Sequence, residues 1–267
     1  MEESFRLPLT DNTKTADIRY MEKDNLLENV AVILHRPKYA GNIGATARAM
    51  KNMGLSRLII SEGGHYSVEE MKMMATHFAS DIIDEAHFTD NLAEALSPFQ
   101  FIVGTTARTG TQRMPTSTPR EVAKKIVEAA KENKVALLFG SEDRGLTNED
   151  LRFCHELITI PTSEAFRSIN LSHAVMLMGY EIFLAARNPS PSFMPRLATS
   201  REIEGMYSSL KEVLLEIGFL NPQNPDYFMI HLRRFFSRTG LTARDVKIIR
   251  GICRQISWAL HGRQGNP

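Results

Sequence analysis

From about Asn29 to Arg187 the chain alternates short apolar runs with stretches whose apolar residues recur at helical spacing, and few architectures accept that order. The runs Val30–Leu34, Arg57–Ile60, Phe101–Val103, Val135–Phe139 and Ile158–Ile160 are rich in Val, Ile, Leu and Phe on both faces. Strands of that kind are buried on both sides, as in a parallel sheet covered by two layers of helix. The stretches between them predict helices over Ala45–Met53, Val68–Ala79, Arg120–Glu132 and Asn170–Arg187. Gly54 follows the first of these as a left-handed stop, and Pro119 precedes the third. The alternation therefore predicts an α/β domain over residues 29–188, built on a doubly wound, mostly parallel sheet.

The flanks read differently. Residues 1–28 mix acids, bases and polar groups and hold no apolar signal-like core. No apolar run approaches the roughly 20 residues of a membrane span, and the two cysteines, Cys154 and Cys253, lie far apart without a CxxC or HExxH pattern. These features predict a reduced, cytoplasmic protein with no membrane segment and no metal requirement. Residues 189–200 hold three prolines together with Asn188 to Thr199, which predicts a linker. Residues 201–267 then predict a small α-helical domain. Ile203–Ile217 is stopped by Gly218, and Leu241–Leu260 opens on Thr242-x-x-Asp245, a capping-box pattern. In that last helix Val246, Ile249, Ile252/Cys253, Ile256 and Ala259/Leu260 predict one buried face, and Lys247, Arg250 and Arg254 a basic stripe. The net charge of +1 hides an asymmetry. Residues 1–200 carry 22 Lys+Arg against 25 Asp+Glu, whereas residues 201–267 carry 10 against 6. A basic helical appendage suits a polyanionic partner, and charge counting alone equally allows a solvated helix face.

In open α/β sheets ligands bind beyond the C-terminal ends of the strands. Four unusual segments stand there: His35 to Arg48 after the first strand, Gly104-Thr105-Thr106-Ala107-Arg108, Gly140-Ser141-Glu142-Asp143-Arg144-Gly145-Leu146, and Pro161 leading to Ser168-Ile169-Asn170-Leu171-Ser172. Gly41-Asn42-Ile43-Gly44 lacks the GxGxxG spacing of a dinucleotide loop, and no Lys-Ser/Thr follows Gly145 as a Walker loop requires. An ordinary nucleotide-dependent enzyme is therefore disfavoured.

Asn42-x5-Arg48, Leu138 to Leu146, and Ile160-Pro161 with Ser168 to Ser172 resemble, in order, the three motifs of the SpoU-type SPOUT methyltransferases. The Gly-Thr-Thr-Ala-Arg segment and the basic helical tail further resemble the TrmJ subgroup, which methylates a ribose in the tRNA anticodon loop, usually at nucleotide 32. The resemblance implies a C-terminal trefoil knot in the α/β domain, a homodimer, and S-adenosylmethionine as cofactor. It implies tRNA as substrate, with rRNA or another tRNA position as the alternative target. A non-catalytic RNA-binding homologue is the further alternative, and the intact motif residues argue against it.

By that resemblance Thr105, Thr106, Ala107, Gly140, Ile160, Arg167, Ser168 and Ile169 hold the cofactor, largely through backbone groups. Arg48 is the family's catalytic arginine, and Asn42, Glu142, Ser168 and Asn170 complete the catalytic set. A guanidinium is effectively always protonated. Arg48 is thus either a base in an altered environment or a clamp for phosphate and developing alkoxide. Glu142 is suited to holding Arg48 or a loop amide. Ser168 and Asn170 also fit plain capping of the following helix. Two residues depart from the family pattern: Ile169 replaces a commoner Leu, and Arg167 stands where relatives often have a small residue. Beside a sulfonium, Arg167 is expected to turn its side chain away and contribute backbone.

Overall fold

The computed structural model describes residues 26–108, 117–187, 194–237 and 240–261. Most of the N-terminal extension and the first half of the expected linker lie outside the described residues. Six strands form one parallel sheet in the order β3-β2-β1-β5-β4-β6. They are β1 (Val30–His35), β2 (Arg57–Ser61), β3 (His87–Thr89), β4 (Phe101–Thr105), β5 (Val135–Phe139) and β6 (Glu156–Ile158). Successive residues of the central strands feed two cores. Val30, Val32, Leu34, Val135, Leu137 and Phe139 enter one, and Ala31, Ile33, Ala136 and Leu138 the other.

The first core lies under α1 (Ala40–Asn52), α2 (Val68–Ala75), α3 (Ser80–Asp84), α5 (Pro119–Ala130) and α7 (Leu171–Arg187). The second lies under α4 (Leu92–Leu96) and the short α6 (Asn148–Leu151). Leu27 is already buried in the first core, so the domain begins before residue 29.

Three expectations need correction. α1 starts at Ala40, five residues earlier than its apolar periodicity indicates, so Asn42 sits in its first turn and not in a loop. Gly44 is what lets α1 and α2 approach: a Cβ there would stand 2.0 Å from the Met71 carbonyl oxygen. The single helix expected over Val68–Ala79 ends at Ala75, where Thr76 adopts φ +61°. The last strand is Glu156–Ile158, because it pairs with β4 through Val103↔Glu156 and Thr105↔Ile158, which leaves Ile160 beyond the sheet.

At the C-terminal end of β1 a buried pair ties the sheet to α6. His35 Nε2 lies 3.4 Å from Asp150 Oδ1. Asp150 Oδ2 accepts from Thr147 N at 2.7 Å, and Thr147 Oγ1 accepts from Asp150 N at 3.2 Å. Burial alone would raise the Asp150 carboxyl, but His35 and the Thr147 contacts outweigh it and hold it at about 2. An unfolded aspartate takes up its proton near pH 4. The stabilisation from Asp150 is thus complete above about pH 4 and is lost as pH falls toward 2. Thermal unfolding across pH 2–7 should show Asp150→Asn less stable than wild type at pH 7, with the gap closing below about pH 4. A gap constant with pH would mean that ionisation of Asp150 contributes nothing.

The C-terminal domain contains α8 (Ser200–Glu216), α9 (Pro225–Ser237) and α10 (Ala243–His261) around Met206, Tyr207, Leu220, Met229 and Val246. Thr242 opens α10 with a reciprocal cap: its N–H and hydroxyl both reach Asp245 Oδ2, at 2.9 and 2.6 Å. The expected linker is not free along its second half. Leu197 N donates to Asn133 Oδ1 at 2.7 Å, Ala198 N to Leu241 O at 2.8 Å, and Ser200 N to Phe99 O at 2.8 Å. The expected buried face of α10 is also narrower than its apolar content. Val246 and Cys253 are buried, but Ile252 is 55% exposed and Leu260 is exposed. Among the described residues, no helix is long and apolar enough to cross a membrane.

Candidate functional site

β1 and β2 are each followed by a non-glycine residue with positive φ, Arg36 at 54° and Glu62 at 50°. The two are held together: Arg36 Nε and Nη2 donate to Glu62 Oε2 at 2.9 and 2.5 Å. This turns the following segment back across the top of the sheet. Tyr66 donates its hydroxyl to Pro37 O at 2.5 Å, and Lys38 N donates to Glu142 Oε2 at 2.9 Å. Lys38 Nζ sits 2.6 Å from Asp143 Oδ2, and this ammonium holds the Asp143 carboxyl below the usual carboxylate range.

The segment after β1 is thereby fastened to the loop after β5, and α1 begins beside it. Asn42 Nδ2 donates to Glu142 Oε1 at 2.8 Å. Asn170 Nδ2 donates to Asn42 Oδ1 at 3.0 Å. Asn170 Oδ1 in turn accepts from Ser172 N at 2.9 Å and Ser172 Oγ at 2.7 Å, which caps α7. Capping and site-building are therefore both served by Asn170: its oxygen holds the helix and its amide reaches Asn42. A continuous hydrogen-bond chain, Glu142–Asn42–Asn170–Ser172, joins the loop after β5, the first turn of α1 and the start of α7.

Beside this chain lies a cavity of about 370 Å3. Its lining includes all eight residues expected to hold a cofactor: Thr105, Thr106 and Ala107 after β4, Gly140 after β5, and Ile160, Arg167, Ser168 and Ile169 after β6. Each wall is fixed through backbone. Thr106 N donates to Ile158 O at 3.0 Å, and Thr159 Oγ1 donates to Thr106 O at 2.9 Å. Gly145, at φ +62°, closes the β5 loop by donating to Ser141 O at 2.8 Å. Arg167 is exposed and lines the cavity. A second cleft, of about 580 Å3, adjoins the first and shares Glu142, Ser168 and Ile169 with it.

Arg48 is the exception among the expected site residues. It is exposed on α1, lines neither cavity, and makes no hydrogen bond or ion pair among the described residues. Six residues along a helix displace it about 9 Å from Asn42 and turn it about 120° away. Glu142 holds the Lys38 amide and Asn42, not Arg48. The sequence motifs assign no role to Lys38, Tyr39, Phe166 or His173. The last three line the second cleft. Their only signal in the sequence is their position within or beside the motif segments.

Comparison with known proteins adds two matches. Residues 29–180 match the SpoU rRNA Methylase family, and residues 201–265 match the tRNA methyltransferase TrmJ C-terminal domain. The chain is 36% identical over 250 residues to tRNA (cytidine/uridine/adenosine-2′-O-)-methyltransferase TrmJ of Pseudomonas aeruginosa, covering 89% of this chain and 97% of that protein. It is 36% identical over 239 residues to tRNA (cytidine/uridine-2′-O-)-methyltransferase TrmJ of Sodalis glossinidius, covering 86% and 92% respectively. Among solved structures, TrmJ of Z. mobilis superposes with a TM-score of 0.74 at 28% identity, over 85% of this chain and 98% of that one.

Proposed function

The chain belongs to the SpoU rRNA methylase family, and on that premise we propose that it transfers a methyl group from S-adenosylmethionine to a ribose 2′-hydroxyl of tRNA. The observation that carries this reading is the hydrogen-bond chain Glu142–Asn42–Asn170, built from all three motifs and placed beside the 370 Å3 cavity. The walls fit the cofactor. Ile160, Ile169, Leu171 and Ala174 offer apolar surface, and the loops at 105–107 and 140–146 offer backbone polar groups. At Gly140 the cradle leaves no room for a Cβ. When bound, the sulfonium supplies a methyl group already activated for transfer.

The protein's own part is then orientation and charge. Asn42 and Asn170 are mutually fixed and need no reorganisation when a ribose arrives, so proximity can supply much of the rate. Ser168 lines both cavities and makes no hydrogen bond among the described residues, which leaves its hydroxyl for ligand. Arg48 provides an unneutralised cation for a phosphate or the developing alkoxide. The trefoil threading and the homodimer belong to the same reading. Leu177, Tyr180 and Leu184, exposed apolar residues on α7, are suited to meet a second subunit. The proposed target is nucleotide 32 of the anticodon loop, in the cytoplasm. Tritium transfer from labelled S-adenosylmethionine to unmodified tRNA transcripts, followed by mapping of the modified ribose, tests the whole. Transfer to rRNA alone would move the substrate, and no transfer to any RNA would overturn the reading.

Residues 201–267 are proposed as the RNA-docking domain. Lys247, Arg250 and Arg254 are exposed and line a groove of about 470 Å3 between α8 and α10. Arg233, one of the ten basic residues of 201–267, is already engaged: it pairs with Glu204 at 2.5 and 2.7 Å and stacks 4.2 Å from the Tyr207 ring centre. Replacing Lys247, Arg250 and Arg254 with Ala should weaken tRNA binding and flatten its log–log salt dependence by roughly 0.7–0.9 per lost phosphate contact. Filter binding across a salt series measures this. An unchanged slope would make the stripe a solvated face.

A further inference from the structure

The cleft that adjoins the cofactor cavity combines exposed aromatic rings with polar motif residues. Tyr39, at the N-cap of α1, is 60% exposed and makes no side-chain capping bond. Phe166, on the turn where its N–H donates to Ser163 O at 3.2 Å, is 74% exposed. Neither ring contacts another ring or a cation among the described residues. Between them in the lining stand Asn42, Asn170, Ser168 and His173. Two exposed ring faces and several hydrogen-bonding side chains thus line one cleft. The volume, about 580 Å3, falls within the roughly 300–1,000 Å3 of small-ligand sites.

We propose that this cleft is the binding site of the target nucleoside, with its base stacked on Tyr39 and Phe166 and its ribose against Asn42 and Asn170. The inference rests on the RNA-methyltransferase reading above and adds to it where the base is held. The chemistry is that of single-stranded RNA recognition, in which unstacked bases lie on aromatic faces and polar edges meet amides and hydroxyls. A nucleotide drawn out of its own stack loses neighbouring bases, and an exposed ring replaces them. The shared wall of Glu142, Ser168 and Ile169 gives the second requirement. A ribose on the cleft side of that wall faces the cavity in which the methyl donor would lie. Stacking tolerates any base, so these two side chains set the position of the ribose more than the identity of the base.

The test uses the full-length chain and unmodified tRNA transcripts. Tyr39→Leu and Phe166→Leu keep apolar bulk but lose the ring face, and each should lower kcat/KM for tRNA by about tenfold or more. S-adenosylmethionine affinity, measured by calorimetry without RNA, should stay as in wild type. Tyr39→Phe and Phe166→Tyr should restore activity, which a general packing defect would not allow. With the modified ribose mapped, a transcript abasic at that position should cost the wild type the same factor and cost the Leu variants little more. Leu variants as active as wild type would overturn the inference and leave the methyltransferase reading standing. A defect that the Phe and Tyr replacements do not rescue, accompanied by monomers in sedimentation, would assign the rings to a subunit contact and overturn it too. A wild-type chain that methylates no RNA would remove both readings.

Discussion

Arg48→Ala is expected to abolish methyl transfer to tRNA while leaving S-adenosylmethionine affinity unchanged. The two halves of that result rest on different observations. Affinity should survive because Arg48 lines neither cavity and supports none of the loops that do. Transfer should fail because the family pattern places the motif-1 arginine at the reaction, and Arg48 is exposed and unpaired among the described residues. Loss of a single preorganised charge partner for a developing oxyanion typically costs about 10²–10³ in rate. Arg48→Lys separates the two roles. A lysine keeps the charge but loses the planar fork, so a phosphate clamp should recover only part of the activity. Calorimetry and tritium transfer on the same preparations read both quantities. A variant with substantial residual transfer would remove Arg48 from the reaction.

The position of Arg48 also makes the subunit arrangement testable. Asn42 points into the cleft, and Arg48, six residues on, points elsewhere. In a homodimer the exposed guanidinium is free to serve the neighbouring subunit's pocket. Mixed dimers of Arg48→Ala with an Asn170→Ala chain would regain activity in that case, since one pocket of each mixed pair would hold intact partners. Mixed dimers as inactive as their parents would confine each site to one chain.

What could be read from the sequence followed burial. β1 and β5 were legible almost to the residue because both of their faces are apolar. β3, only three residues long with His87 and Phe88 exposed, offers no such run and went unread. The start of α1 was missed because Gly41, Asn42 and Gly44 are poor helix formers, and tertiary packing of Gly44 against Met71 overrides that preference. On α10, Ile252 and Cys253 are both compatible with an apolar stripe at helical spacing. Which of two adjoining stripes turns inward depends on α8, and periodicity within α10 is silent about that. The candidate site divides the same way. Motif residues stood out one by one in the linear chain. The bonds donated by Asn42 to Glu142 and by Asn170 to Asn42 join segments that only the sheet order brings together.

Gly140→Ala is expected to remove cofactor binding and, with it, methyl transfer. The motif resemblance gives Gly140 a backbone contact with the cofactor. The geometry makes the constraint tighter. An ideal Cβ at residue 140 would lie 2.2 Å from Gly145 C, 2.3 Å from Leu146 N and 2.6 Å from Gly145 O. All three are backbone atoms of the same loop, so no rotamer change relieves the clash, and a single methyl group suffices. The loop must open, which breaks the Gly145 N–Ser141 O bond and pulls Leu146 from the second core. Glu142 lies inside that loop and would move with it, away from both Asn42 and the Lys38 amide. Overpacking of this kind costs about 1–3 kcal/mol of stability, too little to unfold a typical domain. Gly145→Ala is the control. Its φ of +62° makes any side chain strained, but a Cβ there meets nothing within 4 Å. That variant should lose roughly 1–2 kcal/mol from the left-handed backbone alone and still bind the cofactor. Calorimetry with S-adenosylmethionine, together with thermal unfolding, compares the pair. If folded Gly140→Ala binds the cofactor as tightly as wild type, the loop is not the wall of the cofactor site, and the 370 Å3 cavity must serve another ligand.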